Sequence, residues 1–296
     1  MHEQVWAKNA GQLIRLGRRK QGVSRNSLAD FLAVSEVHVS KMEQGLYFLN
    51  AEQWIGISQL LKIPSDAIKQ GYVDRMVDAK LTHQKEIGDF RIPERYANSQ
   101  ASTVRAMLPL IEFMKRMLGE EDFHNFLRFR EIEPEFFFDL SHQLNVNFPL
   151  DILRAMIQKQ LLNKDNVRFL THPVNQPKMH GVLGTTYHQT ESIPDLLEQL
   201  LMHMDKYEIN CEYSFSDLAS DRLDISVIHK EHLKDFQYKD EILNKIICVY
   251  KLNYLRSFIT YQNVDCANGT PIKTAKISEL ECHFEGSDKC VYRVSI

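Results

Sequence analysis

The sequence predicts an all-α N-terminal helix-turn-helix domain followed by an α+β domain of helices and an antiparallel sheet. Three observations predict it. Residues 24–45 read as two short apolar-periodic segments joined by a three-residue turn, each opening on a serine. Beyond about residue 208 the apolar period changes from helical to alternating. At 296 residues the chain is too long for one such small domain, so at least two are expected.

In chain order, residues 8–21 form the first helix, with Leu13, Ile14 and Leu16 apolar and Arg15, Arg18, Arg19 and Lys20 on other faces; Gly22 ends it. Ser24 and Ser35 stand where an N-cap oxygen accepts from a first-turn N–H, before Arg25–Leu32 and Glu36–Glu43. Ala29 is small where two helices cross. Asn50 with Gln53 has the spacing of a capping box, opening a helix through Trp54, Ile57, Leu60 and Leu61. Pro64-Ser65-Asp66 starts another helix, drawn as far as Gln84. Residues 86–102 are polar, non-periodic and carry a proline, which marks a linker. The division expected is 1–70, a helix and linker over 71–102, and a second domain over 103–296.

The second domain opens with an apolar helix containing Met107, Leu110, Ile111, Met114 and Leu118, stopped by Gly119. Residues 134–162 read as mostly helical, and 194–207 as an amphipathic helix with Leu196, Leu197, Leu200, Leu201 and Met204 apolar. Residues 209–215 and 223–228 alternate like strands, 240–255 like a helix, and 258–263, 272–282 and 289–296 like strands, with a hairpin turn at Glu285-Gly286-Ser287-Asp288.

The first segment goes beyond general grammar. Ile14, Arg18, Gly22, Ser24, Leu28, Ala29, Val34, Ser35, Val39, Ser40, Glu43 and Gly45 together resemble the lambda-repressor-like Cro/XRE family over about residues 8–63. The resemblance implies a DNA-binding domain. Its base readers would be Glu36, Val37 and Lys41, with His38 and Ser40 close by and Ser35 capping the reading helix. Ser24, Arg25 and Asn26 would meet a phosphate. Such a domain covers one half-site, so a homodimer on double-stranded operator DNA is expected. Glu43 is placed to pair with Arg18, and Gly45 to leave its helix in a left-handed conformation. Leu46-Tyr47-Phe48-Leu49 puts four apolar residues where the family has a polar loop. Subunit interface, contact with the second domain and local core are all open readings.

Charge supports the DNA reading. The net charge of −3 hides an asymmetry, since residues 1–70 hold nine Lys/Arg and six Asp/Glu, and six basic residues with no acid lie between Lys8 and Arg25. Apolar content of 44% and charged content of 25% are ordinary for a globular protein. No membrane-length apolar run and no signal-peptide core are seen, which leads to a cytoplasmic expectation. Five cysteines, all at or beyond position 211, do not make a secreted disulfide framework. No nucleophile–base set, Gly-rich phosphate loop or cofactor motif is seen, so an enzyme is not expected.

The last strand pair carries the second resemblance. Glu279, Cys282 and Cys290 form an E-x-x-C-x7-C pattern with Gly286 in the turn, and this resembles the end of the vinyl-4-reductase-like sensors of the NO-signalling/Golgi-transport ligand-binding fold. The resemblance implies a receptor for a small apolar or aromatic ligand, with zinc in some members. If the turn centres on Gly286, Cys282 and Cys290 face each other across the ladder. Two thiolates there hold half a zinc site, make a redox-responsive pair, or only pack; Glu279, Cys266, Cys248 and His283 are the further ligand candidates. Phe113, Met117, Phe137 and Phe138 are candidates to line the ligand cavity. No cofactor is required by this reading, zinc is possible, and haem is disfavoured because Y-x-S-x-R is absent. The function expected is a one-component transcription regulator, with a protein-interaction adaptor or a reductase-like enzyme as alternatives.

Overall fold

A computed structural model describes residues 2–163, 165–219, 222–235, 241–260 and 275–296. The chain is mixed, mostly helical with small antiparallel sheets, an α+β composition. Among the described residues no helix is long and apolar enough to cross a membrane. Two compact units are present. The first comprises Met1–Met76, Gln84–Glu94 and His124–His142, and the second Val77–His83, Arg95–Phe123 and Gln143–Ile296. They are not consecutive stretches: residues 124–142, expected in the second domain, belong to the first unit.

In the first unit, α1 (His2–Lys20), α2 (Arg25–Phe31), α3 (Glu36–Glu43), α4 (Ala51–Leu60) and α5 (Ala67–Gln70) surround a core of Leu13, Ile14, Leu16, Leu28, Ala29, Val39, Met42, Trp54 and Ile57. The caps form as their spacing predicts. Ser24 accepts from Ser27 N at 2.9 Å, Ser35 from His38 N at 3.2 Å, and Asn50 and Gln53 close a capping box. Gly45 takes φ +70, and a Cβ there would stand 2.7 Å from Lys8 Cα, so α1 and the end of α3 approach backbone to backbone. The helix drawn from residue 64 to Gln84 stops at Gln70, where Gly71 turns left-handed at φ +79. Part of the expected linker is ordered here as a two-residue ladder, Glu86–Ile87 against Phe90–Arg91. The Phe90 ring meets Phe136 and His142 edge-on at 5.8 and 5.5 Å. Residues 134–138 form a 3₁₀ turn, not the expected α-helix, and that turn packs on α1.

The second unit holds α6 (Val104–Leu118), α7 (Asn147–Gln158), α8 (Val167–Thr171), α9 (Leu183–His188), α10 (Ile193–Met202) and α11 (Glu241–Phe258). Its sheet contains β1 (Cys211–Ala219), β2 (Arg222–His229), β3 (Lys276–Glu281) and β4 (Cys290–Ser295), in the antiparallel order β1-β2-β4-β3. Register fixes what shares a face. Tyr213 pairs with Val227, and Val227 with Cys290; one row along, Phe215 pairs with Ile225, Ile225 with Tyr292, and Tyr292 with Glu279. Residues two apart along a strand point to the same side, so these rows lie on one face. The helix α11 packs against β3 and runs through Phe258, where alternation suggested a strand. Ile259 and Thr260 follow as a turn, and residues 261–263 of that expected strand, the start of the next, and Cys266 fall outside the described residues.

Candidate metal centre and ligand cavity

The sheet register and α11 bring four donors together. Cys290 opens β4, and Cys282 follows β3 just past a register shift between Glu279 and Glu281. The turn between them is a 3₁₀ turn, His283–Glu285, closed by Gly286 at φ +102. Cys248 comes from α11. The ligand atoms of Cys248, Glu279, Cys282 and Cys290 all lie within 4.8 Å of one another. Donors at about 2.3 Å from a tetrahedral zinc stand about 3.8 Å apart, so the cluster has the required span.

The electrostatics of the cluster are those of a cation site. Cys290 is drawn down to about 5, first by the hydrogen bond from the Cys248 thiol and then, against burial, by the His283 backbone N–H and Lys251. Cys248 is pushed far up by the same contact with Cys290 and by burial. Burial also raises the Cys282 thiol and the Glu279 carboxyl. Among these buried thiols Cys290 is made the more acidic and Cys248 the less. Beside them, Glu279 Oε1 and Tyr292 Oη are buried without a hydrogen-bond partner. Three sulfurs and one carboxylate are a donor set for zinc.

This sharpens the sequence reading of Glu279, Cys282 and Cys290. The three do meet, and Cys248 joins them. The Sγ atoms of Cys248 and Cys282 stand 3.1 Å apart. His283 stays out of the cluster; its ring faces His229 at 4.7 Å and its backbone N–H points at Cys290 Sγ, 3.4 Å away.

Next to the cluster lies a cavity of about 190 Å³. Its walls are apolar side chains of α6, α7 and α10, including Met107, Leu110, Leu153 and Leu200, facing the sheet and α11. Ile247, Tyr250, Lys251, Tyr254 and Leu255 of α11 line it, as do Cys211, Tyr213, Val227, His229 and Tyr292. Tyr292 therefore belongs to both places, with its side chain on the cavity wall and its hydroxyl beside the cysteines. The signal available in sequence was a lysine inside the apolar stripe Ile247, Tyr254 and Leu255. None of the four residues expected to line a cavity borders this one, although Phe138 lines a separate pocket in the first unit with Lys8, Arg15 and Glu135. Phe113 is buried elsewhere on α6, Met117 is exposed, and Phe137 and Phe138 belong to the first unit.

The expected DNA-reading residues sit as follows. Ser24 and Ser35 are caps; Asn26, Glu36, Val37 and Lys41 are exposed; His38 lies edge-on to Tyr47; and Ser40 accepts from Gln44 Nε2 at 3.2 Å. The basic run is paired within its own unit. Arg15 meets Glu135 at 2.7 Å, Arg18 and Arg25 share Glu43 at 2.6 and 2.8 Å, and Lys20 meets Asp139 at 2.5 Å. Arg19 is paired with Glu133. In the loop, Leu46 and Phe48 are exposed, Tyr47 is half-buried, and Leu49 belongs to the core.

No family model and no curated protein matches the chain. Solved structures do. Among them are several H-NOX domains. An H-NOX protein from S. oneidensis in the Fe(II)NO ligation state is 10% identical, with a TM-score of 0.47, over 65% of this chain and 98% of its own. An oxygen-binding H-NOX domain related to soluble guanylate cyclases is 11% identical, with a TM-score of 0.44, over 64% and 92%. A third structure, described under the modulation of heme redox potential through porphyrin distortion, is 13% identical, with a TM-score of 0.45, over 66% and 99%.

Two expectations are corrected. The reading as a DNA-binding transcription regulator is withdrawn: the structures matched include H-NOX domains, and the basic run that supported it is engaged by Glu43, Glu133, Glu135 and Asp139. The exclusion of haem is withdrawn as well, since it rested on a missing motif while the structures matched are described by Fe(II) and heme.

Proposed function

We propose that the second unit is a small-molecule receptor whose cavity takes a compact apolar or aromatic ligand and whose Cys248, Glu279, Cys282 and Cys290 hold zinc beside it. The observation that carries this reading is the convergence of four donors within 4.8 Å, adjoining a cavity wall that contributes Tyr292. It agrees with the vinyl-4-reductase-like resemblance, in which a sensor domain ends on this cysteine pattern. Zinc with four protein ligands has no open position, so its work here is to tie α11 to the β3–β4 turn and to fix the far wall of the cavity.

The ligand side is mostly apolar, and burial of apolar surface supplies the affinity. An apolar cavity of about 150 Å³ is enough to hold benzene, so a ligand built on one ring matches this space. The homodimer remains a proposal, read by light scattering at micromolar concentration.

Metal analysis of the purified chain together with thermal melts in toluene tests the reading. One zinc per chain, lost in Cys282→Ser, and a melting point raised by toluene are expected. Sub-stoichiometric metal with no response to toluene overturns it.

A further inference from the structure

The cavity lining holds more polar groups than its leucines suggest, and most of them are engaged inside the protein. Glu208 accepts from the Tyr213 hydroxyl and from Asn210 Nδ2 at 3.0 Å, and Asn210 Nδ2 also reaches Ser102 Oγ at 2.6 Å. The Tyr207 hydroxyl stands 2.7 Å from His180 Nδ1 and 3.3 Å from the Tyr187 hydroxyl. Lys251 is bonded to His229 Nε2 at 2.8 Å and reaches Cys211 Sγ at 3.7 Å.

Three tyrosines of the wall are the exception. Tyr292 Oη is buried beside the cysteines with no partner. The hydroxyls of Tyr250 and Tyr254 make no hydrogen bond among the described residues. These two stand one turn apart on α11, both on the cavity wall, with ring centroids 6.1 Å apart. Their rings are held by aromatic neighbours, Tyr254 stacking on Phe258, so the rings are placed while the hydroxyls are not satisfied. Burial raises both hydroxyls above the ordinary tyrosine value, seconded by Glu208 for Tyr250 and by Tyr250 for Tyr254. Each therefore keeps its proton and presents a neutral O–H donor to the cavity.

We infer that the receptor's ligand is a compact ketone-type carbonyl compound, its apolar body against the leucines of α7 and α10 and its oxygen accepting from Tyr250 and Tyr254. The inference rests on the receptor reading above and deepens it. A carbonyl oxygen has two lone pairs, so it takes both donors and brings no hydrogen of its own. An alcohol of the same shape brings an O–H that needs an acceptor, and the oxygens of Glu208 already serve Tyr213 and Asn210. A hydrocarbon leaves both tyrosine hydroxyls without an acceptor.

Calorimetric titration of the zinc-loaded full chain with acetophenone, ethylbenzene and 1-phenylethanol tests this, since the three share a ring and a two-carbon substituent and differ in its polar group. Water holds the ketone more strongly than the hydrocarbon, yet acetophenone is expected to bind at least as tightly as ethylbenzene and more tightly than 1-phenylethanol. The double variant Tyr250→Phe/Tyr254→Phe is expected to weaken acetophenone at least tenfold and to leave ethylbenzene no weaker. The single variants carry the same test if the double one does not fold, each weakening acetophenone at least threefold, and unchanged zinc content shows that a variant is folded. Variants that weaken acetophenone and ethylbenzene alike, or neither, overturn the carbonyl assignment and leave the receptor reading standing. Acetophenone bound more weakly than ethylbenzene, or no more tightly than 1-phenylethanol, also overturns it. Failure of all three probes overturns it too, and if toluene fails with them the receptor reading falls as well.

Discussion

Cys248 Sγ on α11 lies 3.1 Å from Cys282 Sγ at the end of β3, although the two are 34 residues apart. This contact joins the long helix to the sheet edge at the point where Glu279 and Cys290 also converge. A metal held there would fasten two elements that otherwise meet through apolar side chains and the Arg256 guanidinium, which donates to the Ile277 carbonyl at 3.0 and 3.2 Å. Loss of zinc to a chelator is expected to lower the melting temperature of the second unit by several degrees. Cys248→Ser is expected to reproduce that loss, and metal analysis with calorimetric melting on both preparations checks it.

Glu43 is almost fully buried and answers two arginines, Arg18 and the more exposed Arg25. Removing Arg18 leaves a buried carboxylate with one partial partner. Arg18→Ala is expected to destabilise the first unit by about 1–3 kcal/mol, and Arg25→Ala by less than about 1 kcal/mol. Urea titration of the two variants reads the difference. Equal effects would mean that the two arginines hold Glu43 equally, and a larger cost for Arg25→Ala would make Arg25 the principal partner.

Gly45 combines a left-handed φ of +70 with a backbone approach to Lys8 that leaves no room for a Cβ. Gly45→Ala is expected to cost about 1–3 kcal/mol. Gly22→Ala shares the positive φ of +63 but meets nothing within 4 Å, so it is expected to cost less. Denaturant midpoints of the pair separate the steric part from the conformational part.

His180 is fully buried, bonded to the Val174 carbonyl and to the Tyr207 hydroxyl, and burial lowers it to about 4. The unfolded chain binds that proton near pH 6.5, so between about 6.5 and 4 the unfolded state holds more protons than the folded one. Stability is therefore complete above about pH 6.5 and falls as the pH drops toward 4, by up to about 3 kcal/mol from this residue. In the first unit, His142 behaves alike at about 4, while Asp139, held at about 2 against burial by His142 and Lys20, adds its loss below about pH 4. Urea midpoints at pH 7.0 and 4.5 check the sign; an unchanged or higher midpoint at pH 4.5 counters it.

Local signals were read well and distant ones were not. Capping serines, the Asn50–Gln53 box and the Gly45 turn depend on residues three or four apart, and all are present in the structure. The proximity of Cys282 and Cys290 follows from a short turn, although a register shift between Glu279 and Glu281 leaves Cys282 past the end of the ladder and not paired across it. Cys248 was one candidate among several, because no spacing rule links a helix to a hairpin 34 residues later. The basic run was read as a surface for phosphates. Its actual partners, Glu133, Glu135 and Asp139, come from a segment assigned to the other domain.

By itself, the sequence determined the small helical unit of α1 to α4, the antiparallel end of the chain and the pattern Glu279, Cys282, Cys290. Each of these follows from a short period, a cap or a turn. Tertiary structure decided which segments form each unit, that the positive run is neutralised, and that Lys251, His229 and Tyr292 face one cavity beside the cysteines. The physical reason is that pairing of charges and enclosure of space depend on contacts between residues far apart in the chain, and apolar periodicity specifies which face is buried but not what it is buried against.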